Sequence, residues 1–311
     1  MHALTFQIRI YWIVFALFVL RPVALACDTH NMSQLPISLV IIARDEAAAI
    51  GRCLDSVPFA AEKLVIDSGS TDGTQQIAIQ HGARVVHQDW LGFGPQRNFA
   101  TTQAQHDWIL VLDADEALSP DLQAELSERI PALFSSSHAG AVLRRQTWYM
   151  GAPMRWYRPM TGEKLGRIYH RKRARWTDAR VHESLRFDGP VETFVHPFVH
   201  LHNPSLVHKH LKTLLYAELK ARDWQDKGRH AHPWMTPFVF IAAFIKDYFL
   251  RLAFLDGWRG YAAAHVAASY AAYKRLRFYE MSRNPASRAI AAQAMEKHGL
   301  ERPRAETSRE T

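Results

Sequence analysis

"ISLVIIA", Ile37–Ala43, is a run of seven residues with a single polar member, Ser38. It does not alternate as a strand with one wet face would. It is also too short for a buried helix, so it predicts a strand covered on both sides. Runs of the same kind return as "KLVIDS" from Lys63, "ARVVHQ" from Ala83 and "WILVLDAD" from Trp108. Between them lie the helical patterns "AAAIGRCLDSV", "GTQQIAIQHG" and "FGPQRNFATTQAQ". The order β-α-β-α-β-α-β predicts an α/β, Rossmann-like, mostly parallel sheet with helices on both faces. Such sheets bind ligands beyond the carboxyl ends of their strands.

Those ends carry the polar residues. After the second strand comes "DSGSTDGT", Asp67–Thr74, a turn in which Gly69 and Gly73 allow unusual backbone angles before a helix with free N–H groups. Neither G-x-G-x-x-G nor G-x-x-x-x-G-K-[ST] is present, so a dinucleotide fingerprint or P-loop is not supported. The fourth strand stops at Asp113, Asp115 and Glu116. Two readings are open for these acids. They are strand-end punctuation before the helix of "LSPDLQAEL", with Ser119 as N-cap and Pro120 at its first position, or they are carboxylates for a divalent cation.

The 311 residues suffice for one large domain or two smaller ones. A formal net charge of +8 points to an anionic partner: nucleic acid, phosphorylated glycan or lipid surface. Cys27 and Cys53 are the only cysteines, too few for a disulfide framework. Arg9, the apolar stretch Ile10–Leu20 and "VALAC" resemble a secretory signal. Translation from Met32 and a membrane anchor are the other readings of this leader. The anchor is the weaker, because the apolar run before Arg21 falls short of the roughly 20 residues that a span requires.

Beyond Asp113 the alternation stops. "AGAVLRRQTWYM" reads as a strand, and Lys164–Arg180 carries seven Lys or Arg against Asp178 alone, interleaved with Tyr169 and Trp176. Such a stretch is either a solvated face or a surface for an anionic ligand with stacking rings. "VHESL" then places Glu183 among apolar residues. A helix begins at Ser205, with Val207, Leu211, Leu214, Leu215 and Leu219 on one face and a stop at Gly228. Trp234–Glu280 is aromatic and Ala-rich, but Lys246, Asp247, Arg251, Asp256 and Arg259 interrupt it, so it is read as surface-lying on a membrane, packed, or a dimer face rather than spanning. His196, His200, His202, His208 and His210 fit no standard zinc spacing, and no metal site is expected there.

"ISLVIIARDE", "VIDSGSTDGT", "GFGPQRN" and "LDADE", in this order, resemble the family-2 glycosyltransferases with a GT-A fold. "RIYHRKRARW", "VHESL" and "RLAFLDGWRGY" look similar to the branch that adds glucose to the inner-core heptose of bacterial lipopolysaccharide. The resemblance spans about Ile37–Glu280. It implies a nucleotide-sugar donor, with UDP-glucose expected, held by Ala43, Arg44, Glu46, Asp67, Arg97 and Asp113. It also implies Mg²⁺ or Mn²⁺ on Asp113 and Asp115, with Asp115 the more direct contact. Glu183 is then the general base of an inverting transfer, oriented by His182, with Asp178 as the runner-up. A structural ion pair is the other reading of Glu183. Arg171, Arg173, Arg175 and Trp176 would face an anionic glycolipid acceptor. Two departures stand out: Asp45 where many relatives have Asn, and Asp67-Ser68 where many have two Asp.

The implied organisation is a leader (1–33), a nucleotide-sugar half (34–145), an acceptor half (146–204), a helical region at the membrane surface (205–285) and a polar tail (286–311). The expected setting is cytoplasmic and peripheral on the inner membrane, with no nucleic-acid partner, since nucleotide sugars are made in the cytoplasm. The competing class is a non-catalytic, basic nucleic-acid or membrane-surface binding protein.

Overall fold

Aliphatic residues fill Leu35–Ala43 (β1), Ala60–Asp67 (β2) and Trp108–Asp113 (β4), and with the short Arg84–His87 (β3) these strands pair in parallel in the order β3-β2-β1-β4. The computed structural model describes residues 34–177, 184–202, 205–230 and 232–297. The expected leader therefore lies outside the described residues, as do Asp178, His182 and Glu183. The three connecting helices are Ile50–Asp55 (α1), Thr74–Gln80 (α2) and Phe93–Gln103 (α3).

Both faces of β1 are covered, which is why its sequence does not alternate. Ile37, Leu39 and Ile41 pack with Ile50, Cys53 and Leu54 of α1, and with Leu122 and Leu126 of the helix Pro120–Phe134 (α4). Val40 and Ile42 point the other way, into a second layer with Ala100 of α3 and Tyr169. The Ser119 hydroxyl accepts the Leu122 N–H at 3.2 Å, so α4 has the predicted N-cap and the predicted proline at its start.

The sheet does not end where the alternation ends. It continues through Glu116–Leu118 (β5), Gly140–Tyr149 (β6), Ala152–Pro153 (β7), Thr161–His170 (β8) and Val191–His202 (β11), giving the order β4-β8-β6-β11-β5 with β7 beside β6. Here the directions are mixed. β8 is antiparallel to β4 and to β6, β11 is parallel to β6, and β5 is antiparallel to β11. A separate hairpin pairs Ala174–Trp176 (β9) with Leu185–Phe187 (β10). The expected boundary between residues 145 and 146 falls inside β6, so one sheet spans both proposed halves.

The helical region comprises Leu206–Asp226 (α5), Thr236–Ile245 (α6), a π-helical turn over Lys246–Leu250, Gly257–Arg283 (α7) and Ser287–Lys297 (α8). Helix α8 places regular structure inside the stretch read as a polar tail. Gly228 stands just past α5 at φ +61°, the left-handed geometry of a helix stop. The predicted apolar face of α5 is not its buried face: Val207, Leu211 and Leu214 are exposed, and Thr213, Ala217, Glu218 and Ala221 are buried. Small side chains let α7 approach closely, and a buried ion pair completes the contact. Arg277 of α7 donates to Glu218 at 2.5 and 3.2 Å and to the Ser287 hydroxyl and carbonyl at 2.9 Å, tying α5, α7 and α8 together. Gly260, in the stretch "RLAFLDGWRGY", is required by contact: a Cβ there would lie 1.7 Å from the Ala253 carbonyl oxygen.

Candidate active site

The loops leaving β1 and β2 are laced together at the carboxyl edge of the sheet. The Asp45 N–H donates to the Ser70 hydroxyl at 2.9 Å, and the Thr71 N–H donates to the Asp45 carboxylate at 2.8 Å. The Glu46 N–H meets Thr74 Oγ1 at 2.8 Å, and the Ala47 N–H meets Asp72 at 3.0 Å. Asp45 adopts φ +55°, a conformation that Asp and Asn tolerate better than most residues. The position where many relatives carry Asn thus has a backbone reason for either residue.

Asp67 is fully buried beneath this lacing. Its carboxylate accepts from the Gly69 and Ser70 N–H groups at 2.9 and 3.0 Å, from Gln75 Nε2 at 2.7 Å and from the Ser70 hydroxyl. Burial alone would raise its pKa, but these donors outweigh it and hold the carboxyl below its ordinary value. Asp67 shapes the loop with those bonds. Ala43 is buried, its carbonyl accepting the Ser68 N–H at 3.0 Å, and Arg44 is exposed beside Asp45.

At the end of β4 the three acids separate. Asp113 accepts from Arg97 at 2.7 Å on one oxygen and from Arg167 at 3.2 Å on the other. Burial opposes ionisation, yet the two guanidinium groups hold its carboxyl well below the usual carboxylate range. Glu116 is 1% exposed, ion-paired with Arg167, and accepts the Asp113 N–H at 3.0 Å. Asp115 belongs to neither clamp: its Oδ2 lies 3.1 Å from His200 Nε2, and its side chain is 34% exposed. His200 is opposite Glu116 in the β5–β11 ladder, which brings an imidazole from far along the chain to the aspartate.

Glu46 lies close enough to these acids to feel their charge. Its pKa is pushed up to about 7, first by burial and then by the charge of Asp115, with Asp72 and Asp113 adding and Lys212 of α5 opposing. Three aspartates thus act on this carboxyl against one lysine. The partly exposed Asp115 carboxylate is a donor of the kind a hard divalent cation takes. Among the described residues no group of three or more His, Cys, Asp or Glu forms a ready-made cage.

The basic stretch is divided by strand direction. Trp108 pairs with His170 at the amino end of β4, so β8 runs back along β4 and brings Arg167 to the acids. Arg171 and Arg173 lie beyond the other end. Arg171 donates to the carbonyls of Ala104 and His106, and Arg173 donates to those of Ser136 and His138, at 3.3 and 3.1 Å. Arg175 is exposed on the small hairpin. The acceptor expectation does not describe Arg171 and Arg173, whose guanidinium groups are bonded to backbone at the far edge.

Trp176 is buried and sits under the site, its ring 4.7 Å from the Arg97 guanidinium. Asn98 fixes the Trp176 backbone through bonds of 2.9 and 3.1 Å. On either side of the undescribed residues 178–183, the Thr177 N–H donates to the Ser184 carbonyl at 3.0 Å and the Ser184 N–H to Thr177 Oγ1 at 3.0 Å.

Sequence reasoning missed Arg167 and His200. Arg167 stands in "RIYHRKRARW", but only the antiparallel register separates it from its neighbours. His200 lay in a histidine cluster set aside for lack of zinc spacing, and its acidic neighbour is 85 residues away.

A family model described as glycosyl transferase family 2 matches residues 38–183. A protein of Rickettsia bellii (strain RML369-C), named an uncharacterized glycosyltransferase, is 32% identical over 276 residues, covering 83% of this chain and 92% of its own. The lipopolysaccharide core biosynthesis glycosyltransferase LpsC of Rhizobium meliloti (strain 1021) is 30% identical over 261 residues, covering 79% and 93%. Among solved structures, glucosyl-3-phosphoglycerate synthase from Mycobacterium tuberculosis, in complex with Mn²⁺, UDP and glucosyl-3-phosphoglycerate, aligns at 26% identity. That alignment covers 36% of this chain and 44% of the other, with a TM-score of 0.30.

Proposed function

The chain belongs to glycosyl transferase family 2 and is a glycosyltransferase with a GT-A-like sheet, and from that premise we propose that it moves a hexose, glucose from UDP-glucose, onto an anionic glycolipid of the lipopolysaccharide-core type. The observation that carries this reading is the division of labour at the end of β4. Arg97 and Arg167 clamp Asp113, and Asp115 stands beside His200 with its charge acting on Glu46.

The nucleotide lies on the laced loops after β1 and β2, held in shape by Asp45, Asp67 and Asp72. Arg97 meets the diphosphate side, a role suited to a permanently charged fork. Asp115 would hold Mg²⁺ or Mn²⁺ with His200 as its neighbour; Asp113 contributes by fixing the arginines. The cation, when bound, neutralises charge that builds on the departing diphosphate.

Glu183 takes the proton from the acceptor hydroxyl as that oxygen attacks the anomeric carbon. The bond to the nucleoside diphosphate breaks on the opposite face, and the configuration inverts. The role of Glu183 rests on the family resemblance. The acceptor's lipid end and the cytoplasmic origin of nucleotide sugars place the reaction at the cytoplasmic membrane surface. A nucleic-acid-binding reading has less to stand on, because Arg167, Arg171 and Arg173 are engaged internally.

Thermal-shift titration tests the donor. UDP-glucose with Mn²⁺ should raise the melting temperature more than either alone, because a ligand that binds only the native state stabilises it. Asp115→Asn should remove that cooperation and lower glucosyl transfer by about 10²-fold or more, the scale of losing a group that stabilises transition-state charge. Equal shifts with every nucleotide sugar, or full turnover by Asp115→Asn or Glu183→Gln, would refute the corresponding assignment.

A further inference from the structure

Trp234, in the turn Pro233–Met235 before α6, and Phe238, Ile241, Ile245 and Phe249, along α6 and the turn at its end, recur at helical spacing. In a water-facing helix this stripe would be the buried one, yet these side chains are 68, 66, 54, 46 and 53% exposed. The opposite side of α6 packs on α7, where Phe244 contacts Tyr261 and Phe240 contacts His265. The helix is therefore apolar nearly all round, with one face spent on the protein and one left open.

The apolar surface extends past the helix end. Asp256 accepts the backbone N–H groups of Arg155, Trp156 and Tyr157 at 2.8–3.1 Å, which pins the Arg155–Arg158 segment beside Leu255 and Trp258. Trp156 and Trp258 are 53% and 59% exposed there. No helix among the described residues is long and apolar enough to cross a membrane. A short aromatic face of this kind lies in the interfacial layer of a bilayer, where indole rings are favoured.

Charge selects the occupant. Arg155, Arg158 and Lys246 are exposed around the face, and Arg259 stacks on Trp258 at 4.7 Å. Two acids lie between residues 232 and 262. Asp247 is buried and bonded to Arg251 at 2.8 Å, and Asp256 is engaged by the backbone N–H groups of the Arg155 segment. Between residues 232 and 262 the rim therefore presents cations with no exposed acid to oppose them. Against a second copy of itself this rim would bring like charges together; against anionic headgroups it is complementary.

We propose that the open face of α6, continued by Trp156 and Trp258, docks the enzyme on an anionic lipid bilayer. The proposal rests on the reading of the acceptor as a membrane-borne glycolipid, which gives this face its purpose: docking places the site over the surface that carries the acceptor.

Co-sedimentation with lipid vesicles tests it, with the full chain in every arm so that residues 1–33 are common to all. The chain should bind vesicles of phosphatidylcholine containing about a third phosphatidylglycerol more tightly than phosphatidylcholine alone, and salt should weaken the difference. Phe238→Asp combined with Ile241→Asp should reduce binding at least tenfold while circular dichroism and UDP-glucose binding in solution stay unchanged. Lys246→Glu with Arg155→Glu should abolish the preference for anionic vesicles. Equal vesicle binding by the Phe238→Asp/Ile241→Asp variant and the parent chain would overturn the proposal, as would a dimer that this variant makes monomeric. If vesicle binding tracks the variants but no nucleotide sugar binds, the docking face stands and the proposed reaction falls.

Discussion

Glu46 is a carboxyl whose neighbours are carboxylates, and its pKa of about 7 arises from burial and from Asp115, Asp72 and Asp113. A folded-state value above the ordinary 4.5 means that the native protein holds this proton more tightly than the unfolded chain. The stability it supplies is complete below about pH 4.5 and is lost as pH rises through about 7. In metal-free buffer, Glu46→Gln should remove that part of the pH dependence of the melting temperature, and Mn²⁺ should flatten it in the parent chain. Identical profiles for the two proteins would contradict the assignment. His200 makes a second prediction at this scale. As the neighbour of Asp115, its replacement by Ala should weaken Mn²⁺ binding about 10- to 100-fold, the usual cost of losing a group that orients or joins a metal ligand, measured by calorimetry. The motif "LDADE" was legible as acids at a strand end. Which acid meets an arginine and which meets a histidine was not, because Arg167 and His200 arrive on strands distant in sequence.

Among the elements, β1 to β4 and α1 to α4 were readable because local signals agreed with tertiary demand: apolar runs too dense to alternate, glycine turns, and the Ser119 cap. Helix α5 was readable as a helix and misread as to face. Its leucines predicted the buried side, but Ala217 and Ala221 allow the closer approach of α7, and the Glu218–Arg277 pair directs polar atoms inward. Replacing Glu218 with Ala would strip Arg277, 4% exposed, of its buried carboxylate and leave it the exposed Glu280 at 2.9 Å. Breaking a buried pair from one side typically costs about 3–5 kcal/mol, and urea denaturation should show a loss of that order. Arg277→Met combined with Glu218→Leu should recover much of it, since apolar replacements of a buried pair are often neutral. A double variant no better than the single one would mean that the bonds from Arg277 to Ser287, rather than the ion pair, hold α5, α7 and α8 together.

Across the whole molecule, one nine-stranded sheet runs through the expected division between residues 145 and 146. β6 crosses that point, paired on one side with β8 and on the other with β11, and β8 in turn covers the edge of β4. Cutting the chain there would expose unpaired strand edges in both pieces. Fragments 34–145 and 146–297 should each lack a cooperative thermal transition by circular dichroism, while the intact chain shows one; a folded 34–145 fragment would restore the two-half description.

Local sequence determined the parallel half of the sheet, the glycine-rich loop at Asp67–Thr74, the acids at Asp113–Glu116 and the helical character of the chain beyond Ser205. Each depends on the periodicity or turn chemistry of residues close together in the chain. Tertiary structure decided which charges meet: Asp113 between two arginines, Asp115 beside His200, Glu46 within reach of three aspartates. It also decided that α6 keeps an aromatic face in the open. The physical reason is the same in every case. Strand register and helix packing bring together groups tens of residues apart, and Coulomb energy and burial depend on distances that composition and spacing do not contain.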